Sequence, residues 1–60
     1  MDVNEMKLLI VKIRQAIDQN KLKEAKDYYL ESSRAYPWLS VEDKKQVYGE
    51  LRKIRDDLAK

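Results

Sequence analysis

Sixty residues carry 13 Lys and Arg against 11 Asp and Glu, a formal net charge of +2 on a chain that is 40% charged. Having no Cys, no His and a single Gly excludes disulfide staples, the usual zinc sites, Cys–His nucleophiles, Ser–His triads and glycine-rich phosphate loops. Such a length holds one domain close to the lower limit for burying a useful core, and the balanced charge points to a solvated surface rather than a polycation made for nucleic acid.

The opening Met1-Asp2-Val3-Asn4-Glu5 is acidic and polar, unlike a secretory leader, so a cytoplasmic protein is expected. Val3, Met6, Ile10, Ile13 and Ile17 then alternate by three and four, with Leu9 and Ala16 widening the stripe, which predicts an amphipathic helix over about 3–19. Asp2 suits its N-cap, with Glu5 placed to complete a capping box. The longest apolar run, Leu8-Leu9-Ile10-Val11, is far too short to span a bilayer. Asn20 stands where a left-handed residue ends such a helix.

Leu22, Ala25, Tyr29, Ser32 and Tyr36 repeat the device and predict a second helix over about 22–36. Pro37 stops it, because the residue before a proline is disfavoured in helical geometry. Ser40 opens a third helix over about 41–59, with Glu42 and Asp43 in its first turn and Val47, Leu51, Ile54 and Leu58 as its stripe. Gly49 lies off that stripe, which places it on an exposed face rather than at a close backbone approach. Short connections near Asn20 and Pro37 make consecutive helices antiparallel neighbours. The expected fold is therefore all-α: a compact three-helix, up-down-up bundle spanning residues 1–60 as a single domain.

Residues 16–37, AIDQNKLKEAKDYYLESSRAYP, resemble the second half of a tetratricopeptide repeat. Asn20 takes the turn position, Leu22 the large apolar position and Ala25 the small position where two helices approach. Tyr29 fills the aromatic slot, Ser32 the second small slot, and Pro37 the terminating proline. The first helix agrees less well: Leu9 and Ala16 suit the pattern, whereas Ile13 stands where a small residue is preferred. A generic tight hairpin with a Pro stop carries the same residues. The resemblance implies a helical hairpin used in protein interaction, with the third helix covering it as a capping helix does. An isolated hairpin cannot cover its own apolar side.

Leu8 and Val11 point away from the first helix's core stripe and form a second, smaller apolar face, which is ordinary surface or a contact face for a protein partner or a second copy. Tyr28 and Leu30 leave the second helix's stripe on opposite flanks and are candidates for outside contact. Tyr29 and Tyr36 fall on that stripe and are expected in the core. Trp38, beside Pro37, is expected to fold over the open end of the bundle as a lid, or else to anchor an interface. The expected function is protein–protein interaction or assembly through Leu8, Val11, Tyr28, Leu30 and Trp38, with homodimerisation the simplest way to hide them. The alternative is nucleic-acid binding on the third helix, where Lys44, Lys45, Tyr48, Arg52 and Arg55 share a basic flank with an aromatic in its middle. Against it, Glu42, Asp43, Glu50, Asp56 and Asp57 bring the segment close to neutrality. Every Asp and Glu falls on a polar face and the serines lack an activating histidine, so neither catalysis nor a cofactor is expected.

Overall fold

The computed structural model describes residues 2–59. Three α-helices follow one another, α1 Val3–Asp18, α2 Leu22–Ala35 and α3 Val41–Leu58, with a 3₁₀ turn, Tyr36–Trp38, between the last two. They form a bundle with extents of 31 × 17 × 15 Å. Its radius of gyration, 10.8 Å, is close to the roughly 10 Å expected of a compact chain of this length.

Each helix end has a local cause. Asp2 is extended, and its Oδ1 accepts the Glu5 N–H at 3.0 Å. No return bond from Glu5 forms among the described residues, so this is a simple N-cap rather than the full capping box. At the far end Asn20 has φ 60°, its N–H donates to Ile17 O at 3.0 Å, and Lys21 N–H donates to Ala16 O at 2.7 Å. Those two bonds define a Schellman motif, which satisfies the last carbonyls of α1 and reverses the chain within three residues. Lys21 precedes α2 and makes no side-chain cap there, since its ammonium has no acceptor to offer a backbone N–H.

Pro37 acts differently from the expectation. Tyr36 keeps right-handed helical geometry, φ −53° and ψ −45°, instead of being expelled from it. Pro37 enters at the start of the 3₁₀ turn, where its missing N–H leaves no bond unmade. The chain becomes extended only at Leu39, whose N–H donates to Tyr36 O at 3.1 Å. Ser40 then caps α3, its Oγ accepting the Asp43 N–H at 3.2 Å.

The core is built chiefly from Met6, Ile10, Ile13 and Ala16 of α1 and Val47, Leu51 and Ile54 of α3. From α2 only the small residues Ala25 and Ser32 are fully buried, which lets α1 and α2 approach closely and gives them the most extensive contact in the bundle. The Ser32 hydroxyl donates to Tyr29 O at 2.7 Å, so its burial leaves no polar atom unpaired. α3 lies mainly against α1 and touches α2 least. Gly49 faces open space, with nothing within 4 Å of where a Cβ would stand.

The end of the bundle is closed by Leu39, 6% exposed, and not by Trp38, which is 80% exposed. The 3₁₀ turn rotates these neighbours in opposite directions, and the aliphatic side chain is the one directed inward. Leu22, expected on the core stripe of α2, is 48% exposed. It is the first residue of α2 and adjoins the exposed turn at Asn20 and Lys21.

Candidate interaction surface

The sparse contact between α2 and α3 leaves a groove along their junction. Tyr29 and Ser33 of α2, with Tyr36 at the start of the 3₁₀ turn, form one wall, and Tyr48, Leu51, Arg52 and Arg55 form the α3 wall and floor, around a concavity of about 180 Å³. The local sequence explains both walls. On α2 the steps from 29 to 33 to 36 are of four and three residues, which keep these side chains on one flank. On α3 Tyr48, Arg52 and Arg55 recur by four and three in the same way.

Tyr29 and Tyr36, expected as core, are half-buried: one part of each ring packs on the core cluster and the other lines the groove. Leu51 is 8% exposed and supplies an apolar floor. Lys44 Nζ lies 5.6 Å from the centroid of the Tyr36 ring, a cation–π contact that ties the first turns of α3 to the end of α2. The charge run Glu42-Asp43-Lys44-Lys45 is therefore only partly a solvated turn, since Asp43 and Lys44 are both half-buried.

The groove's charge is of one sign. Arg52 and Arg55 are its charged lining residues. Glu24, Asp27 and Glu31 project from other sides of α2, and Glu42, Asp43, Glu50 and Asp57 from other sides of α3, as the helical repeat requires. Asp56 alone comes near, 3.9 Å from Arg55 Nη2, with both side chains more than 60% exposed. Such a pair is worth little. Arg52 has no carboxylate within 4 Å among the described residues.

The expected partner-contact residues are not assembled into one site. Leu8 and Val11, 55% and 48% exposed, do form an outward aliphatic pair on α1. Leu30, 55% exposed, is on the outer side of α2, and Trp38 is on the 3₁₀ turn. Tyr28 departs from the expectation: it is half-buried against the core, with Lys12 Nζ 5.8 Å from its ring centroid. Its burial comes from packing on the core cluster, with α1 and α2 in extensive contact. A shallow, polar concavity of about 270 Å³ runs beside it, lined in part by Lys12, Gln15, Gln19 and Glu24.

The basic flank is where residues expected separately are brought together. Tyr48, Arg52 and Arg55 line the groove, Lys44 braces its upper end, and Lys45 is exposed on the same side of α3. Val41, 68% exposed, and Tyr48, 55% exposed, continue the flank toward Trp38. The α2 wall was not singled out from sequence, although the one-flank spacing of Tyr29, Ser33 and Tyr36 carried the signal. Among the described residues no group of acidic side chains converges to hold a metal ion, and no helix is long and apolar enough to cross a membrane. The chain matches no protein-family model, no curated protein and no solved structure.

Proposed function

We propose that this chain is a protein-interaction module whose docking surface is the groove between α2 and α3. The observation that carries the reading is the composition of that groove: three tyrosine rings, an apolar floor and two arginines in one concavity. Tyr and Arg are the residue types enriched at interface hot spots, where a ring supplies area and a guanidinium supplies directed hydrogen bonds. The tetratricopeptide-like spacing of residues 16–37 agrees with such a role, α1 and α2 forming the hairpin and α3 covering one side of it. The role is binding rather than catalysis, in a cytoplasmic setting. The outward pair Leu8 and Val11 is a separate contact face suited to a second copy of the chain.

Selection of displayed random peptides against the full chain tests this reading. Enriched peptides should bind at least about tenfold more weakly to a Tyr48→Ala, Arg52→Ala variant, the loss typical of an interface hot spot. The same peptides should bind a Leu8→Ser, Val11→Ser variant unchanged. Circular dichroism checks that both variants remain helical. Peptides that depend on Leu8 and Val11 instead, or that ignore both pairs, contradict the assignment. The second reading, nucleic-acid binding, draws on the coincidence of Lys44, Lys45, Tyr48, Arg52 and Arg55 on one side of α3. An oligonucleotide bound at low salt, with affinity and salt dependence both reduced by Arg52→Ala with Arg55→Ala, would support it.

A further inference from the structure

The net charge of +2 is unevenly placed around the groove. On α3 the cations Lys44, Arg52 and Arg55 lie toward α2, while Glu42, Asp43, Glu50 and Asp57 lie toward α1 or solvent. On α2 Lys26 shares the flank of Tyr29 and Ser33, while Glu24, Asp27 and Glu31 lie on other flanks. No carboxylate lines the groove. Its two guanidiniums are exposed to solvent, and among the described residues Arg52 has no carboxylate within 4 Å and Arg55 only the exposed Asp56 at 3.9 Å. Tyr48 is 55% exposed beside them, and Ser33 lines the same space.

Taking the groove as the docking surface, we infer that its occupant is an acidic, amphipathic segment of another protein, whose carboxylates are gripped by Arg52 and Arg55 while its apolar side chains rest on Tyr29, Tyr48 and Leu51. Charge complementarity selects this occupant. A cationic segment would set like charges against Arg52 and Arg55 with only the exposed Asp56 to offset them, which is how a wrong partner is rejected. Carboxylate is the group that the planar guanidinium fork recognises through paired N–H donors. Partial burial of the tyrosine rings and the adjoining Leu51 floor then call for apolar area from the ligand, which a bare polyanion lacks.

Fluorescence anisotropy with three labelled probes decides the matter: an amphipathic Leu/Glu peptide, its Leu/Lys counterpart of equal length, and a single-stranded oligothymidylate. The Leu/Glu peptide should bind and the Leu/Lys peptide should not. An Arg52→Glu, Arg55→Glu variant should weaken Leu/Glu binding by at least about tenfold. A Lys7→Glu, Lys53→Glu variant, which changes net charge by the same amount away from the groove, should weaken it by less than about threefold at moderate salt. Equal losses in the two variants would overturn the inference, since they would report net charge alone. So would absence of Leu/Glu binding, or tighter binding of the oligothymidylate at the same arginines. Binding of the Leu/Lys peptide that is lost in Tyr48→Ala would overturn the acidic assignment while leaving the groove as the docking surface.

Discussion

Trp38 and Leu39 adjoin in sequence and have opposite surroundings. Leu39 is 6% exposed and closes the core, whereas Trp38 is 80% exposed. A domain of this length is held by only about 3–9 kcal/mol, so one core truncation removes a large share of its stability. Leu39→Ala should cost about 2–4 kcal/mol by the loss of buried area and the cavity left behind. Trp38→Ala should stay within about 0.5 kcal/mol. Urea denaturation separates the two, and a larger loss for Trp38→Ala would mean that the indole packs on the bundle after all. Gly49 gives the opposite sign. A methyl group added there meets nothing and Gly is a poor helix former, so Gly49→Ala should raise stability by about 1 kcal/mol, visible as an increase of several degrees in Tm. Asn20, with φ 60°, should tolerate Gly and lose about 1 kcal/mol on replacement by Ala, whose Cβ is strained in that conformation.

The helices were legible in the sequence because their signals are local. Stripes of period three to four, Asp2 and Ser40 as caps and Asn20 at the reversal each depend on a handful of neighbours. Pro37 was legible only as a boundary. Whether Tyr36 leaves the helix or carries it into a 3₁₀ turn depends on where Leu39 finds its burial site, which is a tertiary matter. The groove was legible by half for the same reason. The basic flank of α3 follows from spacing alone, but its meeting with Tyr29, Ser33 and Tyr36 depends on how far α3 stands from α2. That distance follows from side-chain size. Ala25 and Ser32 draw α2 onto α1, and the half-buried tyrosines then hold α3 away from α2. Because α1 and α3 supply most of the core, buried amides around Val47, Leu51 and Ile54 should exchange hydrogen only at the global unfolding energy, together with those of α1. Faster exchange throughout α3 than in α1 would show that the third helix opens on its own.

As a molecule, the chain has two distinct surfaces that differ in chemistry: the aliphatic pair Leu8 and Val11 on the outside of α1, and the tyrosine–arginine groove between α2 and α3. They make separable predictions. Leu8→Glu with Val11→Lys should leave helicity intact and abolish any self-association, as read by sedimentation; an unaltered monomer before and after would remove that face as a dimer contact. The groove, lined by tyrosines and two arginines, is the proposed docking surface. The most direct test is amide chemical-shift mapping of the full chain titrated with the Leu/Glu peptide. Shifts concentrated at Tyr29, Ser33, Tyr36, Tyr48, Arg52 and Arg55, with Leu8 and Val11 unmoved, are the predicted result. The largest shifts at Leu8 and Val11, or a uniform small drift along all three helices, would contradict it.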